Sequence, residues 1–263
     1  MKKYLFIFKS ELMSQLQYVF NTVVGFLGYF IMLFILFNLY RYLYADPSEA
    51  INGYTMNQMV WYVIFTEIIW STTGGRKFVH KICDDVRGGS IAYNISKPYS
   101  YIGYSLASHL GEITFKGVIY TILAMLEGFL LLGVFPKVTI LGALAIFLVS
   151  VLAIVISTLI LISIGLLAFK IEDSNPIYWL YSKLILICGT IFPIEYFPAA
   201  VQPILNYSPV YVTTYGPARL FVEFNLETFL NVLLFQVIYL VLIYLLCLFV
   251  YRRGVRDLNV NGG

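Results

Sequence analysis

Residues Phe20–Tyr40 run for 21 positions without an aspartate, glutamate, lysine or arginine, and five further apolar stretches follow. About 20 apolar residues cross a bilayer core as a helix. The second stretch is Met56–Thr73, with Glu67 inside it. The third is Gly117–Val134, which contains Glu127. The fourth is Val138–Phe169, longer than one perpendicular crossing needs. The fifth is Ile177–Pro193, with Lys183 near its start, and the sixth is Phe229–Tyr251. Helices are expected throughout, because unpaired backbone amides and carbonyls are too costly in hydrocarbon. A membrane barrel would show strands of about ten alternating residues instead of continuous runs. Composition agrees: 60% of the chain is hydrophobic and 12% is charged, against about 25% charged in an ordinary soluble domain. The fold class expected is an all-α polytopic membrane protein. Residues 1–263 form one transmembrane domain of six spans, with no room for a second soluble catalytic domain.

Lysine and arginine set the orientation, because they are retained on the cytoplasmic side. Six spans place both termini on one side. Thirteen of the seventeen basic residues fall there: Lys2, Lys3, Lys9, Arg76, Lys77, Lys81, Arg87, Lys97, Lys116, Lys170, Arg252, Arg253 and Arg256. Arg41, Lys137 and Arg219 fall on the other side, and Lys183 within a span. Both termini are therefore expected in the cytoplasm. The net charge of +3 carries no basic block that would mark a nucleic-acid partner. Cys83, Cys188 and Cys247 are too few and too scattered for a disulfide framework or a CxxC metal pair. The apolar start is interrupted by Lys9 and Glu11 and has no small-residue cleavage site, so it reads as mature sequence.

Three segments between the spans carry more information. Residues 1–18 place Tyr4, Leu5, Phe8, Leu12 and Leu16 on one helical face and polar residues on the other, the pattern of an interfacial amphipathic helix. Residues 76–87 form a short, heavily charged helix whose Phe78, Ile82 and Val86 make an apolar stripe, closed by Gly88-Gly89. Such a stripe fits a groove in a partner, or packs on the chain's own spans. Residues 194–225 follow Pro193 and contain Pro198, Pro203, Pro209 and Pro217 among many apolar residues. Proline breaks helices, so this segment is expected as short re-entrant helices in the outer leaflet.

This order of segments resembles the permease subunit of a bacterial type-2 ATP-binding-cassette exporter. The resemblance covers the whole chain. It rests on Asp85–Pro98, where an acidic/basic helix end is followed by glycine, a small residue and Lys97-Pro98. It rests also on Phe192–Pro198, on Tyr207–Tyr211 with its central Ser208-Pro209, and on Gly216–Leu220. The resemblance implies that Arg76, Phe78, Lys81, Ile82, Asp85, Val86 and Arg87 belong to a coupling helix seated on an ATPase subunit, and that the N-terminal helix touches this region. It implies two ATPase subunits, a second permease that is identical or homologous, and a multi-pass place in the bacterial cytoplasmic membrane. No Gly-Lys dipeptide occurs, so the chain has no P-loop. No cofactor is expected in this chain, and ATP and magnesium belong on the partner. No metal site and no catalytic residue is expected.

Glu67 and Glu127 lie inside spans, where a charge costs about 2.5–3.5 kcal/mol on insertion scales. They read either as acceptors for a cationic or hydrogen-bonding substrate or as structural carboxyls paired with Lys116, Lys183 or hydroxyls. Glu112 and Lys116, at i and i+4, read as an ion pair. Tyr196, Phe197, Tyr207 and Tyr211 are candidates for lining an exit, through apolar and cation–π contacts. The cargo expected is amphipathic: a drug, an antimicrobial peptide or a lipid-like molecule, with a lipid-linked or polymeric glycan as the alternative. A membrane enzyme is disfavoured, since only His80 and His109 are present and neither HExxH nor GxSxG occurs. A channel or scaffold is the remaining class.

Overall fold

The computed structural model describes residues 2–44, 46, 49–171 and 173–261, and these are helical apart from connections and one isolated bridge between Ile51 and Tyr54. Met1, the first residue of the expected interfacial helix, lies outside them. Helix α1 (Lys2–Gln15) passes through a 3-10 turn at Leu16–Tyr18 into α2 (Val19–Leu43). A polar loop leads to α3 (Met56–Thr73), whose start is fixed by a capping box between Thr55 and Gln58. Gly74 then takes a left-handed conformation with φ of 53°, and the chain turns directly into α4 (Gly75–Arg87). A short α5 (Ser90–Ile95) follows Gly89, which is also left-handed.

Helix α6 (Tyr101–Leu132) begins 16 residues before the apolar run that marks the third span in sequence. The added length is amphipathic and is held by α1. Ser100 caps it, and the Ser100 amide donates to Tyr4 Oη at 3.0 Å. Gly103, Ala107 and Gly111 allow α1 to lie close; a Cβ at Gly103 would fall 2.8 Å from the Tyr4 ring, and one at Gly111 would strike the Phe8 carbonyl. Lys3 Nζ also reaches the Pro98 carbonyl. None of α1 is buried; Leu5 and Phe6 are 69% and 74% exposed on its far face.

Helix α7 (Ile140–Leu166) ends in a 3-10 turn at Leu167–Phe169. Helix α8 (Asn175–Ile185) starts at Asn175-Pro176 and widens into a π-helix at Leu186–Ile191 before Pro193, so the fifth apolar run is a helix of two pitches. The proline-rich segment folds as a 3-10 turn at Ile194–Tyr196, α9 (Gln202–Asn206), a π-helix at Tyr211–Tyr215 and α10 (Gly216–Val222). Helix α11 (Leu226–Asn261) closes the bundle against α7.

By length and composition, four described stretches suit a membrane crossing: Lys2–Leu43, Tyr101–Leu132, Ile140–Phe169 and Leu226–Arg256. The exposed leucines, isoleucines and phenylalanines of α2, α7 and α11 form the apolar coat expected of lipid-facing helices. Helix α3 is less apolar because it is central, with 14 of its 18 residues buried. One core cluster packs α2, α3 and α10 together, and a second packs α4, α7 and α11.

Candidate functional site

Helix α4 lies at one end of the bundle with its two faces fully separated. Phe78, Val79, Ile82, Cys83 and Val86 are buried in the second core cluster. The contact with α7 is close: a Cβ at Gly165 would fall 2.7 Å from Ile82 Cβ. Phe78 stacks on the His109 ring at 3.8 Å between centroids, and Cys83 Sγ sits 2.7 Å from Ser174 Oγ. Of the two readings left open by the stripe of Phe78, Ile82 and Val86, the structure realises packing on the chain's own helices. The exposed face carries Arg76, Lys77, His80, Lys81, Asp84 and Arg87, with Asp85 half-buried. A shallow groove runs along it.

Asp85 anchors the end of α4. Its carboxylate accepts from Tyr101 Oη at 2.8 Å and from Ser90 Oγ at 2.7 Å. Asn175 Nδ2 lies 3.4 Å from His80 Nδ1, which ties the start of α8 to α4. Asp173, in the turn before α8, accepts the Asn175 backbone N–H at 3.0 Å, and this bond holds its carboxyl below the usual range. Thus α4 is joined to α3 by a tight corner, to α7 by packing and to α6 and α8 by polar contacts.

Glu67 and Glu127 are 2% and 4% exposed, within the helix bundle. Glu67 Oε2 accepts from Ser71 Oγ at 3.4 Å, whereas Glu67 Oε1 and both Glu127 oxygens have no hydrogen-bond partner among the described residues. Of the expected partners, only a hydroxyl is met, and only for Glu67. The two carboxyls share Tyr29 as a neighbour. The expected Glu112–Lys116 ion pair is not formed: Lys116 Nζ turns to the Ser71 carbonyl, and Glu112 lies 4.0 Å from His109 Nδ1. Helical spacing brought the two residues to one face, but the free carbonyl near the end of α3 captured the ammonium.

At the opposite end of the bundle, the four aromatic candidates divide into two groups. Tyr196 Oη is 2.7 Å from Tyr44 Oη, and Phe197 packs on the first core cluster. Tyr207 and Tyr211 share Phe235 of α11, with ring centroids at 5.7 and 5.6 Å. Between the groups lies a polar knot that sequence patterns did not single out. Glu195 accepts from Tyr215 Oη at 2.5 Å and from Tyr54 Oη at 3.2 Å. The Arg219 guanidinium sits 4.9 Å from the Tyr54 ring centre and pairs with Glu223 at 3.1 Å. The residues come from separate elements, so no local spacing announces the knot.

A cavity of about 590 Å³ opens beside α4, between α2, α3, α6, α7 and α8. Its wall includes Arg76, Lys77, His109, Glu112, Lys116 and Thr72. Sequence patterns did not group these residues, which are brought together only by the packing of α6 against α3. Among the described residues no cluster of three or more His, Cys, Asp or Glu could hold a metal ion.

Residues 27–262 match the profile of the ABC-2 family transporter proteins. The chain belongs to that family. No curated protein matches it. The family consists of membrane permeases that lack an ATPase domain of their own and work with ABC ATPase subunits.

Proposed function

We propose that this chain is the permease subunit of an ATP-driven exporter, with six helical spans and both termini in the cytoplasm. The six spans are α2, α3, the later part of α6, α7, α8 with its π-helical continuation, and α11. Helix α1 lies in the cytoplasmic interface, and residues 194–225 form the outer closure. Two permeases, identical or homologous, enclose the pathway between them. Two separate ATPase subunits hold ATP and magnesium and press on α4.

The observation that carries this reading is the division of α4 into a buried apolar face and an exposed charged one. The coupling residues therefore have two roles. Phe78, Ile82 and Val86 pass displacement into α7 and α6. Arg76, Lys81 and Arg87, with Lys77, His80 and Asp84, meet the ATPase, while Asp85 holds the helix end in place. Glu67, Glu127, Tyr196, Phe197, Tyr207 and Tyr211 remain candidates for the pathway, and an amphipathic cargo suits their mix of carboxyls and aromatic faces.

Purification of the tagged protein from its native membrane in mild detergent tests the reading. An ABC ATPase is expected to come with it in stoichiometric amount. Charge reversal on the exposed face, Lys77→Glu with Lys81→Glu, is expected to reduce that yield at least tenfold while the permease still elutes as a folded particle. Recovery of the wild-type chain alone at every detergent strength would overturn the proposal.

A further inference from the structure

The cavity beside α4 has the construction of an anion site. Helix α4 points its N-terminus at it, and Gly74, Gly75, Arg76 and Lys77 all line its wall. The N-cap is glycine, which has no side chain to cap the first-turn amides, and no acidic residue stands in that turn. The Tyr178 hydroxyl approaches the Arg76 amide. A helix N-terminus concentrates partial positive charge and presents N–H groups. Lys116 adds a full charge there; a Cβ on Gly74 would lie 3.9 Å from Lys116 Nζ. Arg76 and Lys77 make three cations on the wall against one carboxylate, Glu112.

Two buried polar side chains are left unpartnered on the same wall. His109 is 2% exposed and Thr72 is 3% exposed. Neither ring nitrogen of His109 nor Thr72 Oγ1 has a hydrogen-bond partner among the described residues; the Glu112 carboxylate stands 4.0 Å from Nδ1, an ion-pair distance beyond hydrogen-bond reach. Buried polar groups normally find partners, and these stand beside an electropositive helix end. The rest of the wall mixes polar side chains such as Gln15, Asn21 and Ser157 with apolar ones such as Ile69, Trp70 and Leu161, and it extends to Gly25 on α2, beside Val24, which faces outward. The volume, about 590 Å³, lies in the range of ligand pockets, roughly 300–1,000 Å³.

We infer that this cavity binds a phosphate-type anionic headgroup carried by an amphiphile, held by the α4 amides, Lys116 and His109. The inference rests on the permease reading only for the site's role, as the place where cargo is taken up. Binding itself is measured without an ATPase, so the two can fail separately.

The full chain in nanodiscs of neutral phosphatidylcholine is titrated with fluorescently labelled lysophosphatidate. Displacement by unlabelled oleoyl lysophosphatidate, and at least tenfold weaker displacement by neutral monooleoylglycerol, is expected. Lys116→Gln and His109→Phe, the latter keeping a ring to stack on Phe78, are each expected to raise Kd at least tenfold. Equal competition by monooleoylglycerol would overturn the inference on the wild-type protein alone, as would unchanged Kd in both folded variants. Displacement by millimolar inorganic phosphate would support the anion site and give it a free-phosphate source.

Discussion

The unpaired and doubly paired carboxylates of this chain follow different rules. Glu195 is legible in sequence only as a charge in a proline-rich segment, yet it gathers two tyrosine hydroxyls from residues 141 and 20 positions away. Hydrogen bonds to a charged acceptor contribute about 1.5–3 kcal/mol each. Tyr215→Phe is therefore expected to destabilise the purified protein by about that amount and to lower its melting temperature. Tyr207→Phe, whose hydroxyl makes no bond among the described residues, serves as the control and is expected to melt as wild type. Equal melting of the two variants would show that the knot does not hold the outer segment. Glu67 and Glu127 were visible at once as acidic residues in apolar runs, but their surroundings were not. The residues that face them come from other helices, and sequence spacing cannot report which hydroxyls those helices present.

At the scale of elements, four of the six apolar runs fall in helices long and apolar enough to cross a membrane, because bilayer thickness fixes the length of such runs, independent of what packs beside them. The boundaries that moved did so for stated reasons. Helix α6 extends back to Tyr101 because α1 packs along Gly103, Ala107 and Gly111. The fifth run changes to a π-helix at Leu186, where Gly189 meets Thr214 and Val210 at close range. A hydrophobic pattern has no means of announcing such a close approach. The stripe on α4 was equally legible, but its destination was decided by Gly165, which opens a seat for Ile82 on α7. Two consequences follow. Phe78→Asp places a carboxylate in a core and is expected to unfold the region, since loss of a buried phenylalanine alone costs about 3–5 kcal/mol. Gly165→Ala is milder: overpacking costs about 1–3 kcal/mol and is expected to lift α4 from α7 without unfolding the bundle. Cys83 reports this lift. It is buried at the interface, whereas Cys247, on α11, is buried in the same core against Ser163 and Leu159 of α7. Faster maleimide modification of Cys83 in Gly165→Ala, with Cys247 unchanged, is the expected result by mass spectrometry. Cys83 remaining as unreactive as Cys247 would mean that Gly165 does not control the seating of α4.

Across the whole molecule, charge asymmetry and packing point the same way. The basic residues gather at the end that holds α1, α4 and the cavity, while the other end holds the proline-broken helices and the tyrosine–glutamate knot. The charged face of α4 is thus linked to the proline-broken segment through the buried helix α3 and the half-buried helix α7. Packed interiors transmit displacement because they have few voids to absorb it. This arrangement makes the orientation testable from two exposed positions. In a cysteine-free background, Ser90→Cys at the start of α5 and Pro198→Cys in the outer segment both place a thiol on the surface. With six spans and cytoplasmic termini, a membrane-impermeant maleimide should label Ser90→Cys only in inverted vesicles and Pro198→Cys only in right-side-out vesicles. An odd number of crossings between them requires opposite labelling whatever the absolute orientation, and α6, α7 and α8 supply three. Labelling of both from one side would remove α8, with its π-helical continuation, from the spans. Opposite labelling with the sides exchanged would keep the six helices and place α4 outside the cell, where no ATPase could reach it.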